Sequence, residues 1–276
     1  GAAIQADLLA GDGRADDVLL LDVLPLSLGI EVGGGVVDKI LPRNTTIPTG
    51  ARATYTTQED KQTGFEIHVV QGERELAADC RSLARFTLRG IPPMAAGVAR
   101  LEVQFKVDEN GLLRVHAKEA TTAIEQTVDV KPSYGLDDET VEQMLLDALD
   151  HGEDDLYKRK LAEGRVEAGR MVQATEKALA ADAAMLDPEE AKTIAAAVLA
   201  LSTAAKGDNA GTIQSAIEAL DAATKEFAGR RMNRAIMQAM QGKNVGQVEE
   251  QVAHALSLEE AHEKRGYRAT SKKGQP

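Results

Sequence analysis

Apolar residues recur at every second position from about Ser27 to Val130 and at helical spacing after Gly135, and this change of period is the strongest constraint on the fold. In the first region Phe65, Ile67 and Val69 alternate with Glu66 and His68. Leu101, Val103, Phe105 and Val107 alternate in the same way with Glu102, Gln104, Lys106 and Asp108. Such alternation gives each strand one buried and one wet face. Asp108-Glu109-Asn110-Gly111 supplies a turn whose Asn-Gly can take positive φ, after which Leu113, Val115 and Ala117 resume the pattern. Strands of this length, punctuated by Pro and Gly, predict a compact antiparallel β-sandwich.

Beyond Lys131-Pro132-Ser133-Tyr134-Gly135 the pattern is helical. Asp137 can cap a first helix, with Leu136 and Val141 as a hydrophobic staple around it. Asp187-Pro188-Glu189-Glu190 is a second start, with Pro at the first position. Gly207 and Asp208 mark one helix stopping and the next starting, and Ile213, Ile217, Leu220 and Phe227 fall on one face of that later helix. Frequent alanine favours helix and close helix packing. The fold class expected is therefore α+β, mainly β then mainly α: an antiparallel β-sandwich followed by an α-helical bundle. Ser257-Leu258-Glu259-Glu260 is a capping box for a last short helix, and Lys264, Arg265, Arg268, Lys272 and Lys273 form a basic tail, either a solvated end or a binding tail.

The 276 residues suffice for two domains. A formal net charge of -12 argues against nucleic-acid binding by phosphate neutralisation. The single cysteine, Cys80, excludes an internal disulfide or thiolate cluster; it reads as a small buried residue, and such sparing use suits a reducing cytoplasm. No run is apolar enough to span a membrane. Gly1–Ala10 reads as the tail of a helix without its beginning, as in a fragment of a longer protein. Between a polar, glycine-containing stretch and the first strand lie Val18-Leu19-Leu20-Leu21-Asp22. This run is either an ordinary buried strand or a docking element buried against another domain.

Signals for catalysis are thin. The glycines at 33–35 lack a following Lys-Ser/Thr and precede a strand, so they read as a turn rather than a phosphate cradle. The five histidines (His68, His116, His151, His254 and His262) have no zinc-ligand spacing with one another or with Cys80, and no metal site is expected. His68 and His116 sit on strands and read as structural residues. No Gly-x-Ser-x-Gly element is present. The chain gives no positive sign of an enzyme.

Several blocks nevertheless resemble the DnaK-type chaperones (heat shock protein 70 family). They are Val18-Leu19-Leu20-Leu21-Asp22-Val23, Pro25-Leu26-Ser27-Leu28-Gly29-Ile30-Glu31, Arg43-Asn44-Thr45-Thr46-Ile47-Pro48, Ile67-His68-Val69-Val70-Gln71-Gly72-Glu73-Arg74 and Asp108-Glu109-Asn110-Gly111-Leu112-Leu113. Their order matches the family, and the resemblance extends to about Gly242. Asp79-Cys80-Arg81-Ser82-Leu83-Ala84-Arg85-Phe86-Thr87-Leu88-Arg89-Gly90-Ile91-Pro92 and Val130-Lys131-Pro132-Ser133-Tyr134-Gly135-Leu136 are most similar to the branch dedicated to iron–sulfur cluster biogenesis.

The resemblance implies a remnant of an ATPase-domain helix and a flexible segment at 1–17 and an interdomain linker at 18–26. A β-sandwich that holds a peptide follows at 27–134, then a helical lid at 135–242 and a terminal helix and basic tail at 243–276. It places Ile30, Val32, Gly33, Val36, Tyr55, Thr56, Thr57, Gln58, Phe65, Ile67 and Leu101 around the peptide groove, with Phe65 and Ile67 lining a central pocket. Main-chain groups near Val32 and Thr57 would bond the peptide backbone. Val18, Leu19, Leu20, Leu21 and Asp22 would dock on the ATPase domain when nucleotide is bound. No cofactor is expected in this fragment; ATP and Mg belong to the ATPase domain of the full-length protein. The partners implied are a proline-containing apolar segment (Leu-Pro-Pro-Val-Lys) of an IscU-type scaffold protein, the J-type co-chaperone HscB and the protein's own ATPase domain, with no nucleic acid and no membrane.

Three departures from the family pattern stand out. Gly33 and Gln58 occupy the positions whose apolar side chains usually arch over the peptide, so an apolar arch cannot form. Phe65 is bulkier than the aliphatic residue usual at the central pocket. Ala96 and Gly169 replace the Arg and Asp of a common lid latch. Outside this resemblance, a general holdase or helical interaction scaffold remains the alternative function, and a hydrolase is the least favoured.

Overall fold

The computed structural model describes residues 22–133 and 135–240. The expectations for the linker residues Val18, Leu19, Leu20 and Leu21, for the preceding segment and for the terminal helix and basic tail lie outside the described residues. Among the described residues eight strands precede four helices. The strands are β1 (Leu28–Val32), β2 (Val36–Leu41), β3 (Thr49–Thr56), β4 (Gly64–Gln71), β5 (Arg81–Arg89), β6 (Arg100–Val107), β7 (Leu113–Glu119) and β8 (Glu125–Val130). The helices are α1 (Asp138–Asp150), α2 (Gly152–Asp182), α3 (Pro188–Ala204) and α4 (Ala210–Met240). The chain divides into two compact units at Asp155/Leu156, so α1 and the first residues of α2 belong with the strands. No described helix is long and apolar enough to cross a membrane.

The first unit holds two antiparallel four-stranded sheets, ordered β2-β1-β4-β5 and β3-β6-β7-β8. Period-two alternation turns one face of each strand inward. Leu101, Val103, Phe105 and Val107 of β6 are buried together with Leu113, Val115 and Ala117 of β7, and they meet Leu28, Ile30, Ile67, Val69 and Leu88 of the other sheet. Each such side chain stabilises the fold by roughly 1.5–3 kcal/mol through burial. In the turn that the sequence predicts between β6 and β7, Asp108 accepts from the N–H of Asn110 and of Leu112, both at 2.9 Å, and Gly111 takes positive φ.

Chain entry into the sandwich is hydrogen-bonded. Asp22 C=O accepts from Ile47 N–H at 3.0 Å, and Leu24 donates to Thr45 O at 3.0 Å and accepts from Asn44 N–H at 2.8 Å. Leu24 and Leu26 are buried, whereas Val23 points outward. At the other end of the unit, Asp137 accepts from Thr140 N–H at 2.8 Å and caps α1 as the sequence predicts.

In the second unit α2, α3 and α4 bury Met171, Ala178, Ile194, Leu201, Leu220 and Phe227 in one core. Asp187 caps α3 by accepting from the N–H groups of Glu189 and Glu190. The cap of α4 is Asn209, which accepts from Thr212 N–H at 3.0 Å, rather than Asp208. Asp208 instead ties the α3–α4 turn to α2, through its C=O to the Tyr157 hydroxyl (2.6 Å) and its carboxylate to Arg165 (2.7 Å).

At the opposite end of this bundle Asp182 is buried between Arg231, at 2.6 Å, and Arg234. Burial by itself would raise the Asp182 pKa, but hydrogen bonds and charge from the two arginines outweigh it and hold the carboxyl below its ordinary 3.8. A carboxylate depressed in the folded state contributes stability above its unfolded value and loses it as pH falls through the folded value. The urea midpoint of the helical signal is therefore expected to drop below pH 3.8, and Asp182→Asn is expected to flatten that acid limb while lowering the plateau. An unchanged acid limb in the variant would assign the loss to other groups.

Candidate functional site

The β1–β2 connection is Gly33-Gly34-Gly35, where Gly34 and Gly35 take φ of 85° and 75°, a backbone that favours glycine. Gly35 N–H donates to Val32 O at 3.1 Å, and Gly35 O accepts from Ala77 N–H at 2.8 Å, so the turn is braced by the β4–β5 loop. Across from it lies the loop between β3 and β4. Thr57 is buried at its base, with its C=O and hydroxyl both accepting from Gly97 N–H. The Gln62 side chain folds this loop, its Oε1 accepting from Gln58 N–H at 3.1 Å and its Nε2 donating to Gly64 O at 2.7 Å.

The strands joined by these two loops, together with β6, bring candidate residues together. Ile30, Phe65, Ile67 and Leu101 are buried in one cluster, with Val32 and Tyr55 packed against it. Phe65 and Ile67 lie on the same face of β4, opposite Leu88 and Phe86 of β5. Tyr55 pairs with Leu101, which pairs with Glu119, so a row of three side chains crosses the second sheet. Val36 stands apart from the cluster: it is fully buried, pairing with Val32 and bridging to Leu76. Thr56 is half-buried and pairs with Arg100, and Gln58 is exposed. The carbonyls of Val32 and Thr57 already accept intramolecular N–H groups, from Gly35 and Gly97.

Three polar arrangements at or beside these elements were not evident from the sequence. The Tyr55 hydroxyl donates to Asp38 at 2.8 Å, joining β3 of one sheet to β2 of the other. Burial first, and then the Asp38 charge, push the phenol pKa well above its ordinary 10.0, so it remains a donor. Arg74, in the β4–β5 loop, makes a bidentate pair with Asp155 at 2.5 and 2.9 Å, and Asp155 is only 1% exposed. Glu119 is fully buried, and its Oε2 accepts from Thr121 N–H and from both N–H and hydroxyl of Thr122. Burial alone would raise its pKa, but those donors bring it below 4.5.

His68 bonds Glu31 at 2.6 Å and Ser82 at 2.8 Å, which satisfies both ring nitrogens as a structural histidine requires. Cys80 is half-buried, and burial is the main reason its thiol pKa is pushed up to about 11. No described group of three or more His, Cys, Asp or Glu could hold a metal ion.

A family model described as Hsp70 protein matches residues 1–233. Chaperone protein HscA homologs of Burkholderia multivorans and Acidithiobacillus ferrooxidans are 55% and 52% identical over 249 and 248 residues, each match covering 90% of this chain. Chaperone protein HscA of Xenorhabdus nematophila is 52% identical over 248 residues. The chain spans 40% of the length of these relatives. A family match over most of the chain, and more than half of all residues shared across nine-tenths of it, place this protein in the Hsp70 family.

Proposed function

We propose that the first unit holds an extended apolar peptide in a groove between the β1–β2 turn and the β3–β4 loop, as part of a chaperone. The observation that carries this reading is that Ile30, Val32, Tyr55, Phe65, Ile67 and Leu101 share one apolar cluster on β6 and the strands that the two braced loops connect. A backbone-plus-pocket mode of recognition suits such an arrangement, main-chain bonds giving affinity and pockets giving side-chain preference. The client class is a proline-containing apolar segment of an IscU-type iron–sulfur scaffold protein, delivered with the J-type co-chaperone HscB. Proline pre-sets the extended form and lowers the ordering cost of binding. In the full-length protein an ATPase domain using ATP and Mg would regulate the groove through Val18–Asp22. The second unit would serve as the lid.

A Leu-Pro-Pro-Val-Lys peptide carrying a photoreactive group at its centre tests the site. Attachment within residues 30–36 and 55–67 is the expected result, and competition by the unlabelled peptide should remove it. Attachment confined to α2, α3 or α4 would favour the helical scaffold instead.

A further inference from the structure

Gly33 and Gln58 meet across the two loops. A Cβ on Gly33 would lie 2.1 Å from Gln58 Nε2, 2.9 Å from its Cδ and 3.1 Å from its Oε1, so the carboxamide of Gln58 rests on the bare backbone of Gly33. Both sides of this contact are held in place. The glycine turn is fixed by its bonds to Val32 and Ala77. The root of Gln58 is fixed by the buried Thr57 on one side and by Gln62 on the other. The carboxamide itself makes no hydrogen bond among the described residues, although its loop is folded by such bonds. A primary amide with its donors and acceptor unspent, resting on bare backbone between two loops, is a reading head for a main chain.

We infer that Gln58 is a specificity-determining clasp, whose Nε2 donates to a carbonyl of the bound peptide where it passes between Gly33 and the β3–β4 loop. This rests on the groove reading above. The chemistry favours a carbonyl over an N–H as the group read. A strand with proline at its centre has no N–H there but keeps every carbonyl. At its prolines such a strand offers acceptors only, and an NH2 group is the matching side-chain partner there. Gly33 is what leaves room for it. Its backbone lies outside the left-handed region, so a side chain would not strain the turn, but any side chain would evict the amide.

The full chain is used with a fluorescent Leu-Pro-Pro-Val-Lys peptide and the same peptide bearing single backbone thioamides, whose sulfur is a weaker acceptor than oxygen. Gly33→Ala and Gln58→Leu are each expected to weaken binding of the normal peptide about three- to tenfold, the range for one hydrogen bond. The double variant should lose no more than either single one, because both remove the same contact. Wild type should be sensitive to the thioamide at one position, and Gln58→Leu should lose that sensitivity. Equal or tighter binding by Gln58→Leu, additive losses, or thioamide sensitivity that survives in the variant would each overturn the clasp. Failure of the groove reading is distinguishable, because it appears as photoattachment outside residues 30–36 and 55–67 whatever residue 58 is.

Discussion

Asp155→Ala is expected to lower the unfolding free energy of the first unit by about 3–5 kcal/mol, the cost of leaving one partner of a buried ion pair uncompensated. Asp155 is 1% exposed and meets Arg74 through both guanidinium donors. Asp79, 3.7 Å from Arg74 and more exposed, is too distant to replace it. The pair fastens the first residues of α2 to the β4–β5 loop, the same loop whose Ala77 braces the glycine turn. Urea unfolding of the full chain followed by circular dichroism gives the measurement. Arg74→Met combined with Asp155→Leu should recover much of the loss, because an apolar pair leaves no buried charge behind. A loss below about 1 kcal/mol, as for a surface pair, would mean that water reaches Asp155 in solution.

Phe65→Ala is expected to cost about 3–5 kcal/mol of stability, as large-to-small changes in a packed core do, and at least tenfold in peptide affinity. Phe65 is 6% exposed, in the same cluster as Ile30 and Leu101 and opposite Leu88 on β5. Leu88→Ala separates the two effects. Leu88 is as deeply buried and directly paired with Phe65, but it lies on the neighbouring strand outside the proposed groove. Both variants should lose stability, and only Phe65→Ala should lose affinity when binding is measured by fluorescence anisotropy on folded protein. Equal affinity losses would make Phe65 an ordinary core residue. Aspartate at position 65 is a poorer probe, since its charge would be buried without a partner in the sandwich core.

The strands and helices were readable in the sequence because each carries its period on its own residues: Leu101 to Val107 states its buried face, and Ile213 to Phe227 states its stripe. Asp187 and Asp137 declared helix starts because a cap acts over three residues. The pairings that organise the candidate site have no such local mark. Tyr55 and Asp38 are 17 residues apart, and Arg74 and Asp155 are 81 apart; only strand register and loop path bring them together. Gly33 and Gln58 could be read as small and polar, each by itself, but not as touching. The turn at Asp108–Gly111 was legible because Asn-Gly marks it locally, although the two N–H groups that the Asp108 side chain binds were not.

The short ribbon at Asp22–Leu24 has a mechanical consequence. Three hydrogen bonds to Asn44, Thr45 and Ile47 form the attachment, and Asp22 is its outermost bonded residue. Tension entering from the N-terminal side loads the Ile47–Asp22 bond before it reaches Leu24, whose side chain is sealed in the core. The Asn44–Ile47 segment joins β2 of one sheet to β3 of the other. A tug on this tether is thus delivered at a seam between the two sheets, and peeling stops at a buried leucine.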